Sequence, residues 1–406
     1  MPLQRQETGS SRIYLDHAAT SPLRPEVWEA MQAVVGDADF NPASVHAFGR
    51  RAQQRLEEAR EELAAALGAS RRCLILTGGG THSDNLAILG FLRAHRNEGP
   101  RIFVSAIEHK AVLEPAKRAA REGAEVHIVP VAGCGTIIAD ELERELASDS
   151  GRPTLVSVMW ANNEVGTVQP VERVCEAAHR YGALFHTDAV QAFGKLPVSL
   201  ERVPADMLTI TAHKIGGPVG IGLLYVRDGL SLEPLMYGGS QERAMWPGTQ
   251  NPMATVGFAT AAQLAVADLP VSAPAWRRLR DHLAERLLAS VPGLRVHAAE
   301  AQSRMPNLLS VGIPGCDQAS LLLSLDLAGI AISGGSACSS GSVVGSHVLE
   351  AMGAGSAETE YAALRFSFGH STTAQEIDRA ADAVVRAVAR FRPTRDTSTA
   401  ASGGPA

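Results

Sequence analysis

Lys214 closes the run Thr211-Ala212-His213-Lys214, and Asp188 stands 26 residues earlier in His186-Thr187-Asp188-Ala189-Val190-Gln191. Each follows a short strand-like run. An amine and a carboxylate so placed suit the chemistry of pyridoxal 5'-phosphate. The amine joins an aldehyde as a Schiff base, and the carboxylate keeps a pyridinium nitrogen protonated so that the ring draws electrons. Strand ends are where open α/β sheets bind ligands. A lysine desolvated there becomes a nucleophile and base. A lone lysine is more often an ordinary surface residue, so the reading needs the residues around it.

Gly78-Gly79-Gly80-Thr81 follows an apolar run and precedes a helical pattern over 83–92. Glycines let backbone approach an anion, and a helix start offers free N–H groups. Thr81 adds a hydroxyl to this phosphate cup, which taken alone also reads as a plain turn. No Lys-Ser/Thr follows, so it is not a Walker P-loop. His109, past the run ending at Ser105, presents an imidazole face that can stack on a pyridine; a helix-start histidine would look the same. Asn163 and Gln191 can each offer an amide to a phenolic oxygen, or lie in turns. Cys338 lies in Ser336-Ala337-Cys338-Ser339-Ser340-Gly341, a polar loop where a free thiol is unusual unless it reacts. Arg365, in Leu364-Arg365-Phe366-Ser367, is a planar fork suited to a carboxylate, or a solvated strand residue.

Something must position these groups. The 406 residues are 45% hydrophobic and 20% charged, enough for two domains with real cores. The net charge of -6 argues against a phosphate-binding basic surface, so no nucleic-acid partner is expected. Residues 1–12 are polar and do not read as a leader, and no apolar run approaches the roughly 20 residues of a membrane span. Five scattered cysteines without C-x-x-C imply reduced thiols, a cytoplasmic setting and no metal site.

Apolar runs at 73–77, 102–105, 126–129, 155–160, 184–187, 207–210 and 223–226 alternate with helical patterns at 111–122, 140–147 and 171–181. Such alternation predicts an α/β fold with a mostly parallel sheet. Residues 51–67 form a good helix ended by Gly68. A second long helix over 276–290 opens a smaller C-terminal unit with strands near 307–311 and 364–367 and a last helix over 374–391. The expected division is a flexible start at 1–12, a large domain at 13–270, a small domain at 271–392 and a disordered tail at 393–406. Residues 13–40 are expected to pack with the small domain.

Together these residues resemble the NifS/IscS cysteine desulfurases, of the class V aminotransferase group. The resemblance runs from about Ile13 to Val388. It includes Tyr14-Leu15-Asp16-His17-Ala18-Ala19-Thr20, Asn41-Pro42-Ala43-Ser44-Val45-His46, Glu108-His109-Lys110, Asn162-Asn163-Glu164-Val165-Gly166, Gly248-Thr249 and Arg365-Phe366-Ser367. It implies an aspartate aminotransferase-like fold, with a large mostly parallel-sheet domain and a smaller α+β C-terminal domain. By position it makes Lys214 the Schiff-base lysine, Asp188 the pyridinium partner and His109 the stacking ring. Asn163 and Gln191 contact the phenolic oxygen. Gly80, Thr81, Thr211 and His213 hold the phosphate, with Thr249 contributed across a homodimer. Asn41 and Arg365 bind the substrate carboxylate, and Cys338 takes the sulfur on a loop reaching to Leu349. The implied reaction converts L-cysteine to L-alanine and passes sulfur, as a persulfide, to acceptor proteins in iron–sulfur or thio-modification pathways. A base must help Cys338 ionise, with His109 the candidate.

The chain also departs from the family pattern. Trp246-Pro247 stands where the pattern often has Arg-Ser, His82 where it has Glu, and Val343-Val344-Gly345 where it has Leu-Glu-Pro. Two alternatives stay open: a selenocysteine or other C–S lyase of the same fold, and a noncatalytic sulfur-relay scaffold.

Overall fold

The computed structural model describes residues 12–37, 41–148, 151–335, 345–354 and 361–392. The expected tail, most of the expected flexible start, and Cys338 lie outside the described residues. In chain order the elements begin with β1 (Ile13–Tyr14), α1 (Pro25–Gly36), α2 (Ala47–Leu67), β2 (Leu74–Thr77), α3 (Gly80–His95), β3 (Arg101–Ser105) and α4 (Lys110–Arg121). Then come β4 (Glu125–Val129), α5 (Ala139–Ala147), β5 (Thr154–Ser157), α6 (Val171–Arg180), β6 (Leu184–Asp188), β7 (Met207–Thr211), β8 (Gly222–Val226) and α7 (Pro252–Ser290). The chain continues through β9 (Arg295–Val296), β10 (Leu308–Pro314), α8 (Gln318–Leu327), β11 (Ile330–Ala331), α9 (His347–Ala351), β12 (Tyr361–Ser367) and α10 (Ala374–Phe391).

The seven apolar runs become one sheet in the order β2-β8-β7-β6-β5-β3-β4. Every residue of β2, β3, β5 and β7 is buried, which is why these strands read as continuous apolar runs and not as alternation. Apolar clusters cover both faces: Phe103, Val156, Phe185 and Leu208 belong to one, Ile102, Val104, Leu155 and Met207 to the other. Strands β3 to β7 run parallel, whereas β8 is antiparallel to both β7 and β2. The parallel strands therefore end together at one edge, where Ser105, Asp188 and Thr211 lie.

The second long helix does not begin at residue 276. One helix, α7, runs unbroken for 39 residues across the expected domain boundary, with Pro270 and Pro274 inside it. Proline usually ends a helix by removing a hydrogen bond and crowding the preceding turn. Here each half is held by a different core: Phe258, Ala261 and Ala262 join the large-domain cluster, Leu283 and Leu287 the small-domain one. Between Pro252 and Trp276 the only charged residue is Asp268. The chain thus does contain an apolar run of spanning length, against the composition reading, and its inner half is buried in protein.

The small domain pairs β10 antiparallel with β12 and β9, under α8 and α10. Thr373 and Glu376 form a capping box that starts α10. Residues 13–40 divide their packing. β1 pairs with β11 and buries Ile13 and Leu15 in the small domain, but α1 lies on α7 and puts Val27 and Met31 into the large-domain core.

Candidate active site

The loops at the carboxyl ends of the parallel strands enclose a cavity of about 380 Å³. Its wall includes Gly80, Thr81, His109, Asn163, Asp188, Gln191, Thr211, His213, Lys214 and Arg365, ten of the residues singled out in the sequence. Adjacent pairing of β6 and β7, with Asp188 opposite Thr209, brings the 188 and 214 positions into one space. A single 3-10 turn, Ala212–Lys214, then lifts the lysine off the strand end.

Lys214 Nζ donates to the carbonyls of Ala18 and Ala19, at 2.7 and 2.6 Å. The Tyr14–Thr20 stretch thus reaches from the small-domain ribbon to the site. Asp188 is buried, and Oδ1 accepts the Val190 N–H at 2.9 Å. Burial raises its carboxyl to about 6, although the Val190 amide and Lys214 both pull it down. A second buried carboxylate, Asp84, lines the same cavity and was not foreseen. Desolvation first, then Asp188, push it well above the ordinary range, and its Oδ1 has no hydrogen-bond partner among the described residues.

The glycine cup is the first turn of α3, which begins three residues before the expected start. Gly79 takes φ 140°, a backbone region that disfavours side chains. Gly222 on β8 passes so close that a methyl group on it would stand 2.5 Å from the Gly79 carbonyl carbon. The cup therefore offers backbone N–H groups in a place where only glycines fit. Thr81 stands at its lip. Thr211 donates its hydroxyl to the Ile221 carbonyl at 2.9 Å, so in this state it can only accept. His213 shares a hydrogen with Thr20 at 3.1 Å through Nδ1, and burial, then Lys214 and Lys195, lower its pKa to about 4.

His109 caps α4. Its Nδ1 accepts the Ala111 N–H at 3.1 Å, and burial, followed by Lys214, lowers the ring's pKa to about 4. A neutral ring with that lone pair engaged can stack but is a poor proton acceptor, which removes the reason for naming it the base. Gln191 Nε2 donates to Ala18 at 2.8 Å. Arg365 is fully buried, bonded to Asp16 at 2.7 Å and to the Asn163 carbonyl at 2.9 Å, with Nε unpartnered among the described residues.

Two expected residues lie elsewhere. Asn41 is exposed and caps Ala43 N–H at 3.0 Å, away from the cavity wall. Thr249 is exposed and outside its own chain's cavity. Cys338 lies outside the described residues, and the loop expected to reach Leu349 already turns into α9 at His347. That helix adds His347 to the wall. Only its distance from Lys214 in sequence hid it.

The donor set suits a flat, phosphorylated heterocycle that reacts with an amine. An anion cup lies at one end, a carboxylate faces the interior, an imidazole forms one wall and a lysine closes the space. Residues 13–380 match the family described as Aminotransferase class-V. The chain is 38% identical to a cysteine desulfurase IscS of Dictyoglomus turgidum, over 94% of this chain and 95% of that protein. It is 42% identical to an IscS-like cysteine desulfurase of Mycobacterium tuberculosis, over 93% and 97%. A solved NifS-like protein superposes with a TM-score of 0.86 at 34% identity, over 94% of this chain and all of that one.

Proposed function

The chain belongs to the class V aminotransferases, among their IscS/NifS-type cysteine desulfurases, and on that premise we propose that it converts L-cysteine to L-alanine with pyridoxal 5'-phosphate. The observation that carries this reading is the meeting of Asp188, Lys214 and the glycine cup in one cavity. Gly80, Thr81, Thr211 and His213 would hold the phosphate, His109 the ring face, Asp188 the ring nitrogen, and Asn163 and Gln191 the phenolic oxygen. When bound, the cofactor supplies a ring that stabilises negative charge on the carbon beside the substrate's amine.

The protein's own groups do the rest. Arg365 holds the substrate carboxylate, oriented by Asp16. Lys214 removes the Cα proton, and the two carbonyls it touches keep its amine at the cavity floor. Asp188 and Arg365 are buried, which strengthens their charge interactions. The Cys338 thiolate attacks the substrate sulfur: an S–S bond forms and the Cβ–S bond breaks. The electron pair returns to the carbon skeleton, which is protonated and leaves as alanine. The persulfide then passes to an acceptor protein of an iron–sulfur or thio-modification pathway. The exposed Thr249 fits a role across a homodimer, in a cytoplasmic setting.

The test is incubation of the holoenzyme with L-cysteine. Alanine and a persulfide on Cys338 should form in equal amounts. Cys338→Ala should keep the cofactor's colour and lose turnover. Full turnover in that variant would assign the reaction to a lyase that does not need Cys338, and absence of alanine from the parent would reject the reading.

A further inference from the structure

Three imidazoles line the cavity; His213 engages Thr20 through Nδ1, and the other two carry their proton on Nε2. At His109 the Nδ1 lone pair is taken by the Ala111 N–H. At His347, Nε2 lies 2.9 Å from the Glu108 carbonyl oxygen. A carbonyl only accepts, so Nε2 must be the donor, and the neutral ring's lone pair is on Nδ1. That nitrogen has no hydrogen-bond partner among the described residues.

His347 is also rigidly placed. It opens α9, whose cap residue Ser346 accepts from Leu349 N–H at 3.2 Å and donates to Glu164 Oε2 at 2.6 Å. Val348 and Met352 bury themselves against Ile107, Met159 and Val165. The ring is thus fastened to the cavity wall from both sides of its own residue. We propose that His347 is a proton acceptor for the bound amino-acid substrate, through Nδ1, an assignment that rests on the desulfurase reading.

The chemistry calls for such a group. L-cysteine arrives with a protonated ammonium and, with a thiol pKa near 8.5, a mostly protonated thiol. Lys214 is engaged with the Cα proton, and His109 has no free lone pair. A proton leaving the substrate nitrogen or sulfur for Nδ1 yields an imidazolium whose Nε2–H stays on the Glu108 carbonyl. The proton then leaves to solvent or returns to the product. The charged and acidic groups sharing the wall are Asp84, Lys110, Glu164, Asp188, Lys214 and Arg365.

The experiment compares parent holoenzyme with His347→Gln and His347→Asn, mixed with L-cysteine or with L-alanine, which lacks the thiol. Cofactor absorbance and kcat/KM are followed against pH. Loss of a positioned base should slow the step about 100-fold. Slowing with both amino acids assigns the ammonium proton, and slowing with cysteine alone assigns the thiol proton. Parent-like rates and pH profile in both variants would overturn the proposal. In the cofactor-free protein, nitrogen NMR of labelled histidine should find Nδ1 of His347 unprotonated at pH 8, and a protonated Nδ1 would overturn it whatever the activity. A parent enzyme that makes no alanine from cysteine would instead sink the desulfurase reading, and the L-alanine and NMR arms would still decide the role of His347.

Discussion

The imidazole of His82 lies against the indole of Trp246, with ring centres 4.9 Å apart and planes tilted by 32°. These are two of the positions where the chain departs from the family pattern, which has Glu and Arg there. In this chain the two departures meet in one aromatic contact. It fastens the first turn of α3, which carries the glycine cup, to the segment leading into Gly248-Thr249. That segment is strained. Glu242, Arg243 and Ala244 all have positive φ, at 48°, 61° and 59°, costing about 1–2 kcal/mol each. Glu242 holds it down by accepting from Arg60 at 2.6 and 3.0 Å and from Leu76 N–H at 2.8 Å.

Trp246→Ala should therefore loosen the cup. An aromatic pair contributes about 0.5–1.5 kcal/mol, so cofactor loss on dilution should quicken roughly two- to tenfold. The double variant His82→Glu with Trp246→Arg should recover most of the retention. Cofactor absorbance over time checks both.

Arg365 should be intolerant of lysine. Its fork reaches Asp16 and the Asn163 carbonyl at once, and an ammonium cannot reproduce that geometry. With charge-assisted hydrogen bonds at about 1.5–3 kcal/mol, Arg365→Lys should raise KM for L-cysteine roughly 10- to 100-fold. Asp16→Asn should raise it less. Steady-state kinetics separate the two.

Glu108 makes folding stability depend on pH. Burial raises its carboxyl from 4.5 to about 8, against the Ser105 hydroxyl and the Met159 amide, which lower it. Between those values the folded protein holds a proton that the unfolded chain has lost. Stability from this group is thus full below about 4.5 and falls as pH rises to about 8. Glu108→Gln keeps an acceptor for both partners and should flatten part of that fall. Thermal melting at pH 5 and pH 8 measures the slope.

Lys195 should act with the opposite sign. Burial, then Lys214, lowers its amine from 10.5 to about 7, while Nζ donates to the Gln191 carbonyl at 3.2 Å. Between those values the unfolded chain binds the extra proton, so this group makes stability rise with pH from about 7 to 10.5. Lys195→Met should lessen that rise in melts at pH 7 and pH 9.

By itself the sequence determined the seven strands of the large sheet and two of the small domain, most helices and ten cavity residues. Strands buried on both faces must be apolar throughout, so the sheet was legible to within a residue or two at most strand ends, although the fourth run overreached its strand, 155–160 against Thr154–Ser157. Gly68 marked a helix end because capping is local chemistry. The tertiary structure alone decided the rest. Strand direction depends on where the chain returns, so the reversal of β8 left no local mark. Whether Pro270 and Pro274 break a helix depended on two cores gripping its halves. Asp84 and His347 became site residues only when folding brought α3 and α9 to the strand ends beside Lys214, because cavity walls are built from contacts between residues far apart in the chain.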